Sequence, residues 1–316
     1  MSLGEPLGEP PGESPGDLAM NPEHCATAAR RRDDPLVGTA APARRWLLIE
    51  YPAGWATHAL QSPLIPPRVG GRLEALARSS GGRVLLVRRH GRRRLDVPRA
   101  WVVVDHDGRQ QWGTWDGGDD LERAADAFAG GPVPSGPQEP LLLVCAHGRH
   151  DTCCALRGRP VAEALTDRWP ETTWECSHVG GDRFAANVVL LPDGAYYGNL
   201  SASSAVPVVE AHLAGRVTPA HLRGLSTEQP VVQAALVAAH ERFGPGGARD
   251  LVGETAHAVG PDTWRVRLTG RGTLPAVVEA TVTRERRPPA KLTCRAAGEA
   301  AAYAFVVTDV RAFGTG

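Results

Sequence analysis

Residue types that bind metals gather in one stretch of the chain. Cys145 and Cys154 stand with eight residues between them in LLLVCAHGRHDTCCALRG, and His178 and Asp182 with three between them in ECSHVGGDRF. Thiolate and imidazole are donors of zinc and iron–sulfur sites, and a carboxylate adds a harder oxygen. Gly180 and Gly181 remove two Cβ atoms from the second loop, which lets its backbone turn tightly beside a bound group. Two loops, each offering two donors, are suited to close around one metal centre. Dithiol exchange is the weaker chemistry, because no CxxC pair is present and Cys153 and Cys154 are adjacent.

The neighbouring residues have plainer readings. His147 and His150 sit in the HGRHD loop, where histidines are ordinarily solvated; proton handling is the functional alternative. Cys153 is out of register by one residue and reads as a small buried side chain. Arg183 suits an ion pair or a donor to a bound sulfur. Trp169 and Trp174 read as core, and Asn187 as a turn or strand-start residue. Cys25 and Cys294 are isolated in the sequence and read as ordinary thiols.

The elements that must position these groups follow from periodicity. LLLVC is a short apolar strand, RGRPVAEALTDRW a helix, TTWEC a strand, NVVLLPDGAYYGN a hairpin turning at 192–194, and SSAVPVVEAHLAG a closing helix. Upstream, the same order runs through WLLIEYP, a helix ended by Gly81 and Gly82, RVLLVRR, a hairpin with its Asp-Gly turn at 105–108, and DDLERAADAFAG. Strand, helix, strand, hairpin and helix on a sheet make a thioredoxin-like α/β sandwich. The predicted fold class is therefore α/β: two thioredoxin-like sandwich domains followed by a small α+β domain. The first sandwich, residues 42–135, lacks the chemistry and would cover the second or bind a partner. The second, 136–222, carries the donors. Linkers are expected at 130–140 and 222–228. In the third domain, 226–316, the helix VVQAALVAAHERFG would lie on an antiparallel meander of runs at 251–258, 263–269, 276–284, 291–296 and 302–310. Residues 1–41, opening on GEPLGEPPGESPGD, are expected to be disordered.

Lys and Arg together number 35 and Asp and Glu 35, so no global basic field exists to attract nucleic acid. Arg88, Arg89, Arg92, Arg93 and Arg94 read as a solvated basic loop. No apolar run approaches the length of a membrane span, and no leader pattern opens the chain. The expectation is a cytoplasmic protein without membrane or nucleic-acid partners. In a reducing compartment clustered cysteines serve as ligands more often than as disulfides.

VCAHGRHDTCCALRGRPVAEAL, SHVGGDRFAANVVLLPDGAYYG and the upstream WLLIEYPAGWATHALQSPLIPP resemble the sucrase/ferredoxin-like family, related to thioredoxin-like [2Fe–2S] ferredoxins. The resemblance runs from about Trp46 to Val217. It implies a [2Fe–2S] cluster with Cys145 and Cys154 as the first ligand pair and His178 and Asp182 as the second. Relatives with two cysteine and two histidine ligands carry a histidine where this chain has Asp182. Three readings of the fourth position follow: Asp182 binds iron, Cys176 swings in, or no cluster forms. The function implied is one-electron transfer to redox partner proteins, an electron carrier more than an enzyme. Alternatives are a zinc site on the same residues or a cluster-free scaffold that binds a partner. Sucrose hydrolysis would need two carboxylates across a sugar cleft, and no motif here marks such a pair.

Overall fold

The computed structural model describes residues 23–91, 98–131 and 139–313. Helix α1 (Cys25–Arg31) is followed by β1 (Arg45–Glu50), α2 (Pro67–Ser80), β2 (Arg83–Arg88), β3 (Arg99–Asp105), β4 (Gln110–Trp115) and α3 (Leu121–Ala129). The order then repeats in β5 (Leu141–Cys145), α4 (Thr152–Arg168), β6 (Thr173–Cys176), β7 (Val188–Leu191), β8 (Ala195–Tyr197) and α5 (Ala202–Leu213). Strand β9 (Leu222–Leu225) leads to α6 (Pro230–Phe243), and β10 (Leu251–Gly260), β11 (Thr263–Gly270), β12 (Val277–Arg286) and β13 (Tyr303–Phe313) close the chain. The protein is a mixed α/β structure with a large mixed sheet and a separate small antiparallel one.

The large sheet has nine strands in the order β4-β3-β1-β2-β6-β5-β7-β8-β9. Within each repeat two strands run parallel, β1 with β2 and β5 with β6, and a hairpin adds antiparallel strands on the far side. The repeats meet edge to edge where β2 pairs antiparallel with β6, Val87 opposite Cys176. The two sequence repeats are thus halves of one hydrogen-bonded sheet, and each blunts the other's exposed edge. Their apolar runs lack alternation because both faces are covered: Trp46 and Leu48 join one buried cluster, Leu47 and Ile49 another.

Three expectations need correction. Residues 23–41 are ordered: α1 buries Cys25, Ala26 and Ala29, and Thr39 and Ala40 pack into the body of the protein. Residues 1–22, the rest of the stretch expected to be disordered, lie outside the described residues. The expected linker at 222–228 contains β9, whose Leu222, Gly224 and Leu225 pair with β8. Its signal is four residues long, too short to read without its partner strand. In the C-terminal part, 291–296 forms a loop rather than a strand, leaving a meander of four strands. Pro288 and Pro289, just before it, cannot donate ladder hydrogen bonds.

The basic stretch also differs from expectation. Arg88 pairs with Glu175 at 2.7 Å and lies over Trp55, while Arg89 lies 3.5 Å over the ring of Trp174. Both therefore tie the first repeat to the second. Arg92, Arg93 and Arg94, and most of the linker at 130–140, fall outside the described residues.

Candidate metal centre

The site forms at one end of β5 and β6, where two loops leave the sheet. Cys145 is the last residue of β5 and is buried. The chain turns through 146–150 and enters α4 at Asp151, whose side chain accepts the amide of Cys153 at 2.8 Å and so caps the helix. Cys154, in the first turn, is 0% exposed. Helix α4 can lie this close to β5 because Gly158 faces the Cys145 carbonyl; a Cβ there would collide with that oxygen.

The second loop leaves β6 at Ser177. His178 follows, then Gly180 and Gly181 with φ of +94° and +81°, and then Asp182. Both glycines occupy the left-handed region, which explains the Gly-Gly pair. At Gly181 a Cβ would also strike the guanidinium of Arg223.

The loops bring the donors together. Sγ of Cys145, Sγ of Cys154 and a ring nitrogen of His178 lie within 4.8 Å of one another. Cys154 Sγ is 3.3 Å from Asp182 Oδ1. His178 Nδ1 is 3.0 Å from the same oxygen, yet it is buried and makes no hydrogen bond of acceptable geometry. An imidazole held beside two buried thiols and a buried carboxylate fits a site built for a metal or cluster. The donor types fit thiolate–imidazole ligation, and the set as it stands is compact enough for a single ion.

The charges in the set compensate one another. The Cys154 thiol donates to Cys145 and His178 faces it, so the pKa of Cys145 falls well below that of a free thiol. Cys154 is pushed up, chiefly because its proton is held by the Cys145 sulfur. Burial alone would lower His178, but contacts with Asp182 and Cys145 outweigh it and push the imidazole up to about 9. Burial opposes the charge of Asp182, but the His178 contact prevails and holds the carboxyl below the usual carboxylate range. A metal entering here would displace the protons of His178 and Cys154.

The other predicted residues fall into place around this set. Cys176 lies beside Cys145 in the β5–β6 register, fully buried, but joins no group of donors close enough to share an ion among the described residues. His147, expected to be solvated, is 2% exposed: one ring nitrogen meets Ala56 O at 2.8 Å and the other accepts the His178 amide at 3.3 Å. It is a clamp between the first repeat and the ligand loop. His150 stacks on the His178 ring at 3.7 Å and shares a donor group with His178 and Asp182, so it stands next to the fourth position. Arg183 lies 3.6 Å from Asp34 rather than pairing with Asp182. Trp174 is core and Trp169 packs against the core's edge.

One support of the site was not legible in the sequence. Arg223, in the expected linker, is 1% exposed and donates to Gly180 O and Asn187 Oδ1, each at 2.8 Å, and to Thr39. Asn187 in turn donates to Gly181 O at 2.9 Å. Together they hold both ends of the Gly-Gly turn. The first repeat walls the site: Thr57, His58 and Leu60 line, with His147, His150 and His178, a surface cleft of about 210 Å³.

No helix among the described residues is long and apolar enough to cross a membrane. No curated protein matches the chain. Two structures of a thioredoxin-like [2Fe–2S] ferredoxin from Aquifex aeolicus are similar to a part of it. One, a cysteine-to-serine variant, is 19% identical and covers 27% of this chain and 97% of that one, with a TM-score of 0.24. The other is 21% identical and covers 26% and 88%, with a TM-score of 0.23. At these TM-scores neither likeness carries an argument. The profile described as sucrase/ferredoxin-like matches residues 36–224. That match takes in both repeats, both donor-bearing loops and Arg223, more than half of the chain, and on it the protein belongs to the sucrase/ferredoxin-like family.

Proposed function

We propose that the chain is a one-electron transfer protein that holds a [2Fe–2S] cluster through Cys145, Cys154 and His178, with Asp182 as the fourth ligand. The observation that carries this reading is the meeting of two buried thiols with a ring nitrogen of His178, all within 4.8 Å of one another. The strand–helix–strand–hairpin order of each repeat supports the thioredoxin-like reading of the fold. When bound, the cluster supplies a one-electron couple. The chain's residues supply the rest. Cys145 and Cys154 present thiolates from a rigid strand end and a capped helix. His147, Asn187 and Arg223 fix the loop that presents His178 and Asp182. The 56–60 segment of the first repeat shields the site from bulk water. The side chain of His178 is 23% exposed toward the cleft, giving a redox partner protein a short approach to the centre. A neutral imidazole in place of thiolate lowers the negative charge of the centre, so its potential should lie above that of all-cysteine ferredoxins.

A single zinc ion on the same residues is the second reading, favoured by the 4.8 Å compactness of the donors. Anaerobic purification separates the two. A brown chain with about two irons and two acid-labile sulfides, taking up one electron reversibly in a redox titration, is the expected result. A colourless chain with stoichiometric zinc at this site supports the second reading, and a colourless chain with no metal there contradicts both. Asp182→Ala should lower iron occupancy and change the spectrum, whereas His150→Ala should keep the iron. The reverse pattern would make His150 the fourth ligand.

A further inference from the structure

Cys25, Cys153 and Cys294 are far apart in the sequence and read separately as unremarkable thiols, but in the fold they meet. Sγ of Cys25 is 3.6 Å from Sγ of Cys153, Cys153 is 3.4 Å from Cys294, and Cys294 is 3.5 Å from Cys25. The pairs are 128, 141 and 269 residues apart along the chain. A near-equilateral triangle of thiols is not a disulfide, which would bring two sulfurs to about 2.05 Å. It is close to one face of a metal tetrahedron: a Zn–S bond of about 2.3 Å places neighbouring sulfurs about 3.8 Å apart. A small expansion of the triangle admits the ion.

Backbone amides reach two of the three sulfurs. The Cys25 amide donates to Cys294 Sγ at 3.4 Å, and the Ala26 amide points at Cys153. Cys153 is pushed down to about 6, first by its hydrogen bond from Cys25, while the same bond and burial push Cys25 up and burial pushes Cys294 up, so the three sulfurs share their protons until an ion displaces them. Asp151 adjoins the triangle, with both oxygens 3.8 Å from Cys25 Sγ. One carboxylate oxygen takes the Cys153 amide at 2.8 Å and the other the Cys294 amide at 2.6 Å, so a single buried side chain sets the position of two sulfurs. That is the role of residues that orient metal ligands. Asp151 is the fourth donor within 4.8 Å of the three sulfurs, but its two oxygens already accept amides. His24 Nδ1 lies 3.9 Å from Cys294 Sγ and is the imidazole at hand for a fourth ligand.

We propose that Cys25, Cys153, Cys294 and His24 form a second metal site, a closed tetrahedral Cys3His site for one zinc ion. It joins three segments with little else in common: the α1 arm, the first turn of α4, and the loop between β12 and β13. Zinc is the metal of choice for a closed, thiolate-rich tetrahedral set without redox chemistry. The ion fastens both outer segments to the helix that carries Cys154, so it braces the first site without sharing a ligand with it. This inference stands whether the first site holds iron, zinc or nothing.

Zinc per full-length chain, measured after dialysis against a weak chelator, tests it in Cys145→Ser, whose first site is disabled, and in the double variant Cys145→Ser/Cys294→Ser. Cys145→Ser should retain about one zinc, and the double variant at least tenfold less. Cys294 lies on a partly exposed loop, so circular dichroism should show the double variant folded. As a second readout, Co2+ added to metal-stripped Cys145→Ser should give the charge-transfer and tetrahedral d–d bands of a cobalt–thiolate site. Those bands should be absent in the double variant. No zinc in Cys145→Ser, or equal zinc in both variants, would overturn the proposal, as would copper in place of zinc. Mass spectrometry showing a disulfide among the three cysteines of freshly purified wild type would overturn it in favour of a redox pair.

Discussion

Cys145→Ser and Cys154→Ser should each reduce the iron of the anaerobically purified chain from the proposed level of about two per molecule to background and abolish its visible absorption. Both thiols are buried, and each faces the other and His178. A serine hydroxyl is nearly the same size, so the β5 end and the first turn of α4 should keep their packing. Its oxygen is shorter-reaching, harder and far less acidic, and it makes a poor iron ligand. The loss should therefore be of metal and not of fold, with the far-ultraviolet circular dichroism unchanged. Cys176→Ser is the control. It removes a thiol that is just as buried, adjacent to Cys145 in the sheet but outside the donor group, and should leave the iron content as it was. A Cys145→Ser or Cys154→Ser protein with its spectrum intact would show the ligand set to be wrong.

Arg223→Met lowers stability by about 3 kcal/mol or more, because it deletes a buried charged donor and leaves its acceptors unpaired. The guanidinium is held by Gly180 O, Asn187 Oδ1, Thr39 Oγ1 and Thr39 O, all neutral, and it faces the rings of Phe184 and Tyr196. Burial without a carboxylate partner pushes its pKa down to about 10. Methionine fills the volume but answers none of the oxygens. The thermal midpoint should fall by about 5–10 °C, and iron occupancy should fall with it, because the Gly180–Gly181 turn loses its anchor. Arg223→Lys should restore little, since one ammonium cannot reproduce the planar fork that reaches Thr39 and Gly180 together. A midpoint within about 1 °C of wild type would show that the turn is held by other means.

The difference between what was legible and what was not is physical. LLLVC, TTWEC and the Pro-Asp-Gly hairpin carry local signals, and the structure has β5, β6, β7 and β8 there. The Gly-Gly pair signalled its own positive φ values. Arg223 gave no signal because its role depends on partners 184, 43 and 36 residues away, reached only after β9 joins the sheet. The meeting of Cys25 with Cys153 and Cys294 was hidden for the same reason: cysteine spacing reports sites within one motif and says nothing of sites assembled from three segments. His147 and His150 were assigned to solvent because loop histidines usually face it. The first repeat, folding over that loop, buries one and sets the other against His178.

Pulsed electron paramagnetic resonance of the anaerobically reduced full-length chain tests the proposed cluster and its histidine ligand together. The one-electron-reduced centre should give a paramagnetic signal with strong hyperfine coupling to an imidazole nitrogen, lost in His178→Ala. A reduced chain with no such signal, or one whose signal shows no nitrogen coupling, would contradict that proposal.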